Sequence, residues 1–201
     1  MKTTILVFGI FLLLQSSCSK DDGFTPTLPP ITQTGENTFG CFIDGNLLTP
    51  RDGDGLLGVP DRGMRFVSLG DPPNYIYNEL IVRDFKSGTG GIVKIHFDNI
   101  EQYGEGVFTI NESNCEDGLD AIQNINITCR WWNEASQVFK WYCSKESGGI
   151  LTISRYDLDN GIVSGTFSCT VQNKNNPNDI IEITEGRFDI NRSTLSLTNF
   201  P

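Results

Sequence analysis

The sequence predicts an all-β fold, an antiparallel two-sheet sandwich or a partly closed barrel with mostly meander and hairpin connections. Two observations lead there. Short runs of alternating apolar and polar residues recur between residues 38 and 190, broken by Gly, Asn and Asp. A period of two is the mark of a half-buried strand. No stretch keeps a helical period over three turns; the nearest approach is a turn or two at 118–123.

Taken in order, the first strands are 38–44 and 46–49, flanking a tight turn at Asp44-Gly45, a dipeptide suited to two-residue hairpins. Strands 64–69, 75–82, 91–97 and 107–110 follow, then 124–132 and 138–143. Segments 150–156 and 162–171 flank a loop containing Asn160-Gly161. Segments 180–184 and 187–190 are expected to meet at a turn, Glu185-Gly186. Connections this short imply antiparallel pairing.

Alternation also assigns faces. Phe39, Cys41 and Ile43 share one face, as do Phe167, Cys169 and Val171. Ile127, Cys129 and Trp131 oppose Arg130 and Trp132, and Phe139, Trp141 and Cys143 share a face in the next strand. If Trp131 faces Trp141, Cys129 faces Cys143, and directly opposed cysteines can be bridged. Cys41 and Cys169 are then the second candidate pair, with Cys115 left over. Trp132 and Arg130 are expected on the more exposed face, which makes Trp132 a possible ligand contact.

The chain opens with Lys2 and an apolar run, residues 5–14, followed by Gln15-Ser16-Ser17-Cys18. A basic start and a short apolar stretch read as a secretory signal, 1–17. Small residues before a cysteine suit a lipoprotein peptidase, and Cys18 is the expected site of lipidation. Acyl chains anchor stably when several are present, at about 0.8 kcal/mol per buried CH₂. Gln15 stands where Leu is usual, with Leu14 one place further back. Ser19, Lys20, Asp21 and Asp22 form an acidic stretch that reads as a surface-export signal. Residues 18–35 are polar and Pro-rich, a lipid-anchored tether; 36–201 form a single β domain.

Six cysteines suit an oxidising compartment. The formal net charge of −10 argues against nucleic acid as a partner. No Cys pair has C-x-x-C spacing and His96 is the only histidine, so no metal or other cofactor is expected. No G-x-S-x-G elbow is present, and His96 falls on the more polar side of its strand, where it reads as a surface histidine. Asp157, Asp159, Glu182 and Asp189 are the candidates for a carboxylate pair, with turn formation as the plainer reading. Asp52 and Asp54 in Arg51-Asp-Gly-Asp-Gly55 partly match a calcium loop.

Four segments carry a resemblance: Thr38-Phe-Gly-Cys-Phe-Ile-Asp-Gly-Asn46 with Thr49-Pro-Arg-Asp52, Gly149-Ile-Leu-Thr-Ile-Ser-Arg-Tyr-Asp157, Ile162-Val-Ser-Gly-Thr-Phe-Ser168 and Ile183-Thr-Glu-Gly-Arg-Phe-Asp189. Together they resemble a family of uncharacterised Bacteroidota surface or outer-membrane lipoproteins. The resemblance implies a β-rich single domain and brings no catalytic residues. The expectation is a lipoprotein lipid-anchored in the outer membrane and facing the cell exterior, a non-enzymatic binding module for a protein or glycan. A carboxylate-dependent hydrolase and a barrel carrying a small apolar ligand are the alternatives.

Overall fold

Asp44 and Gly45 make the expected tight turn, both at positive φ (48° and 76°). They join β1 (Thr38–Ile43) to β2 (Asn46–Leu48). The computed structural model describes residues 24–56, 59–71, 74–88 and 90–201. The leader 1–17, Cys18 and the stretch Ser19, Lys20, Asp21 and Asp22 lie outside the described residues.

A two-stranded ribbon, β3 (Gly53–Leu56) and β4 (Val59–Asp61), follows. Next come β5 (Met64–Asp71), β6 (Asn74–Arg83) and β7 (Ile92–Phe97). A short helix, α1 (Ile100–Tyr103), precedes β8 (Gly106–Ile110) and β9 (Asn126–Asn133). The long strands β10 (Val138–Asp157), β11 (Ile162–Asn173) and β12 (Asn176–Asn191) complete the sheet. Its order is β2-β1-β12-β11-β10-β9-β7-β6-β5, with β8 beside β10. The pairs are antiparallel. The chain is all-β, and the one large sheet curls into a half-barrel.

Two breaks expected in the sequence are bulges inside single strands. Segments 180–184 and 187–190 belong to β12, and Glu185 takes up the extra residue at φ 51°. Segments 138–143 and 150–156 belong to β10, with the irregularity between Ser144 and Gly149 and Ser147 at φ 52°. A bulge lets a long strand bend and twist, which curls the sheet. Gly186 is required here: a Cβ would lie 2.5 Å from the Phe167 ring.

Side chains fill the concave side. Phe39, Phe97, Phe167 and Phe188 are buried. Their rings meet at 5.8 Å (Phe39 with Phe167) and 6.1 Å (Phe97 with Phe188). The gap between the outer strands is bridged at two places. Arg51 pairs with Asp84 through Nε–Oδ1 and Nη2–Oδ2 contacts of 2.8 Å. Near the C terminus Leu195 is buried, and the Phe200 amide donates to Asp52 Oδ2 at 3.1 Å.

The chain ahead of β1 is bound to the domain. Asp189 accepts hydrogen bonds from Thr32 Oγ1 (2.7 Å), the amides of Thr34, Gly35 and Glu36, and Ser164 Oγ. Pro29 packs so closely that a Cβ on Gly40 would stand 2.6 Å from its Cδ. Part of the stretch expected as a tether therefore runs along the domain.

The cysteine pairing departs from expectation. Cys143 is bridged to Cys115, with Cα atoms 5.5 Å apart; Cys41, Cys129 and Cys169 are free and buried. Trp131 faces Lys140 and Cys129 faces Tyr142, one residue away from the expected register. The turn decides this. Gln137 sits at φ 53° and donates its amide to the Asn133 carbonyl, while the Asn133 side chain accepts from Ser136. That fixes Asn133 opposite Val138, and a one-residue slip exchanges the faces. Cys129 and Tyr142 point inward, whereas Trp141 and Cys143 point outward, against the expectation of a core Trp141. Cys41 and Cys169 are separated by β12, about 9–10 Å at two strand spacings, beyond the ~7 Å reach of a disulfide.

Candidate functional site

β8 and β9 are parts of one path interrupted by the loop 111–125. The Asn111 amide donates to the Ile125 carbonyl and closes the neck. Ser144, in the β10 bulge, holds the neck from the sheet side: its Oγ donates to the Asn111 carbonyl at 2.6 Å and accepts the Ile127 amide. The disulfide pins the loop across the outward face of the sheet. Asp117 then meets Lys94 as an ion pair, and the Gly118 amide donates to Glu79 Oε1 at 2.8 Å.

His96 lies beneath this loop. It is buried, stacks on Tyr77 and has its Nδ1 3.3 Å from Glu79 Oε1. The surface position expected for it is therefore corrected: alternation placed it outward from the core, and the loop covers that side. Burial, then the charges of Glu79 and Asp117, raises the Tyr77 pKa.

Beyond the loop, the hairpin of β9 and β10 carries an aromatic and cationic surface. Trp132 shares the outward face with Arg130, as the sequence predicts, and meets Phe139 edge-on at 5.1 Å. The Arg130 guanidinium lies over the Phe139 ring at 4.0 Å, and Lys94 Nζ over the Trp141 ring at 5.5 Å. Trp141 is 37% exposed. Trp132 also stands on the lip of a cleft of about 580 Å³ at the end of the half-barrel, with Trp131, Asn133, Glu134 and Asp44 among its lining. Gly91 lies against the Trp131 ring, where a Cβ would be 2.3 Å away, so that ring is held by backbone.

The carboxylate candidates do other work. Asn160, through its side chain and amide, and then Arg155 hold the Asp157 carboxyl down at about 2. Burial raises the Asp189 carboxyl, but hydrogen bonds from Ser164, Thr32 and the Glu36 and Gly35 amides outweigh it and bring it below the ordinary value. Both are held ionised, the reverse of what a general acid requires. Asp159 lies near Asp157 in a shallow hollow with Glu101 and Glu105, while Glu182 belongs to β12. Asp52, from the partial calcium loop, accepts from the Gly63 amide (2.6 Å), Phe200 and Arg62.

Sequence reading missed Arg65, Arg83 and Phe139 as site residues. Phe139 reaches Arg130 across the β9–β10 hairpin, while Arg65 and Arg83 fall on polar or mixed strand positions that only the strand order sets on one face with Arg130. No family model, curated protein or solved structure matches the chain.

Proposed function

We propose that this chain is a non-enzymatic binding module, lipid-anchored through Cys18 in the outer membrane and facing the cell exterior, whose contact surface centres on Trp132. The leader, the small residues before Cys18 and the acidic stretch Ser19–Asp22 support the address. The resemblance to Bacteroidota lipoproteins supports it too. The observation that carries the binding reading is Trp132 with its neighbours: a partly exposed indole, braced edge-on by Phe139, whose ring in turn carries Arg130, on a hairpin fastened by the nearby Cys115–Cys143 bridge. A rigid aromatic anchor loses little conformational freedom on binding, and Trp and Arg dominate contact energetics.

A protein or a glycan would suit such an anchor. The filled interior speaks against carriage of a small apolar ligand, and the ionised Asp157 and Asp189 speak against carboxylate hydrolysis.

The full chain is to be screened against protein and glycan panels by thermal shift, and each hit re-measured with Trp132→Ala. A hit that stabilises the wild type and weakens at least about tenfold in the variant is expected. The absence of any ligand-linked shift, or hits indifferent to Trp132→Ala, would remove this reading.

A further inference from the structure

Four cations occupy two adjacent rows on the outward face of β5, β6, β7 and β9. In one row Arg65 faces Ile81, which faces Lys94. In the other Arg83 faces Ile92, Ile92 faces Arg130, and Arg130 faces Trp141. Arg83 and Arg130 thus stand two strands apart, about 9–10 Å at the backbone. The chain carries a net charge of −10, yet of these four only Lys94 has a carboxylate partner among the described residues, Asp117.

Aromatic rings lie against three of the four. Arg83 lies over Phe85 at 5.7 Å, Arg130 over Phe139 at 4.0 Å and Lys94 over Trp141 at 5.5 Å. A ring face holds a guanidinium flat and leaves its in-plane N–H donors unoccupied. Arg83 Nε is buried and makes no hydrogen bond among the described residues. A buried donor without an acceptor is costly. Burial and then Arg65 lower the Arg83 pKa, with Arg130 adding to this and Asp61 and Asp117 opposing it. An incoming anion would relieve the repulsion among these guanidinium groups.

We propose that this face, with Arg83 and Arg130 flanking Ile92, Arg65 in the neighbouring row, and Trp132 and Trp141 alongside, docks an acidic segment of a partner protein. The proposal rests on the binding-module reading and names its partner's chemistry. Charge complementarity selects an anion. The rings narrow the choice among anions: Phe139 carries Arg130 and Trp141 carries Lys94, so a sugar or a nucleobase would find only Trp132 to stack on. A dense phosphate chain would also meet the long-range repulsion of an acidic protein. An acidic peptide supplies carboxylates that match the guanidinium forks and apolar side chains that match Ile92 and the Trp edges.

The test uses the purified full chain and a fluorescein-labelled peptide of alternating Glu and Leu residues, with its Gln counterpart as control, read by anisotropy. Polygalacturonate and a single-stranded oligonucleotide serve as competitors. The Glu peptide is expected to bind, with the Gln peptide about tenfold weaker or more, a factor of ten being 1.4 kcal/mol. Arg83→Gln and Arg130→Gln are each expected to weaken binding about fivefold or more without lowering the thermal midpoint. Arg130→Lys, which keeps the charge and loses the fork, should weaken it less than Arg130→Gln. Equal binding of the two peptides, binding of neither, indifference to both Gln variants, or tighter binding of either competitor overturns the proposal. A panel partner lost in Trp132→Ala but retained in both Arg variants would sink this docking mode alone and leave the binding module standing.

Discussion

Asp189 shows how one side chain sets local order. Its carboxylate gathers donors from Thr32, Thr34, Gly35, Glu36 and Ser164. Asp189→Asn would aim an amide N–H₂ at some of those donors, at a cost of about 2–4 kcal/mol near neutral pH. The sign with pH follows from the lowered pKa. The contribution is full above the unfolded value near ~3.9 and is lost as pH falls through the folded one. Unfolding midpoints of wild type and variant should therefore converge between pH 7 and pH 2.5; a constant gap would show that ionisation of Asp189 is irrelevant. At the same scale, burial keeps the core thiols protonated: it pushes Cys169 up to about 12, and Cys129 and Cys41 are raised further by their thiol neighbours. A protonated, buried thiol is a poor nucleophile, which lets Cys41, Cys129 and Cys169 persist as apolar filling.

At the scale of elements, the loop 111–125 and the hairpin of β9 and β10 form one unit. The bridge from Cys115 to Cys143 spans a sequence separation of 28. Closing a loop of that length stabilises by about 3–4 kcal/mol, chiefly by restricting the unfolded chain. The double variant Cys115→Ser with Cys143→Ser should lower the denaturant midpoint accordingly, with a somewhat steeper slope because the unbridged unfolded chain is less compact. It should also speed hydrogen exchange at Gly118, whose amide donates to Glu79. An unchanged midpoint would mean that the loop is held by its polar contacts alone. Glu79 and His96 sit under this unit, so a loosened loop brings water to a pair that is otherwise sealed.

For the whole molecule, the consequence lies in the segment ahead of β1. A chain beginning at residue 36 lacks Thr32, Thr34 and Gly35 and leaves Asp189 short of donors. It also uncovers Gly40, against which Leu28 and Pro29 pack. Such a chain should melt lower than one beginning at residue 24, by several degrees if about 1–3 kcal/mol is lost. Scanning calorimetry of the two lengths decides it; equal midpoints would make the segment a passive strap. Because residues 24–35 belong to the body, a lipid at Cys18 would hold the domain near the membrane, not at the end of a long spacer. At most ~3.6 Å per residue separates the two.

Local chemistry was enough for much of the fold. Period-two alternation marked the strands, Asp44-Gly45 marked its hairpin, and the opposition of Cys129 to Arg130 and Trp132 identified which face Trp132 occupies. Each of these depends on neighbours two or three residues apart, a range over which side-chain sterics act directly. Glu185-Gly186 and the stretch 144–149 were ambiguous because Gly and polar residues suit a turn and a bulge equally, and only the strands alongside choose between them. The register of β9 on β10 turned on one left-handed residue, Gln137, with no Gly or Asn at that position to announce it. Cys115 found Cys143 because the loop folds back over the sheet. Arg65, Arg83 and Arg130 lie far apart along the chain and read singly as surface charges. Tertiary structure alone makes them a site, because strand order is set by the burial of the opposite face, and the outward face inherits whatever neighbours that burial imposes.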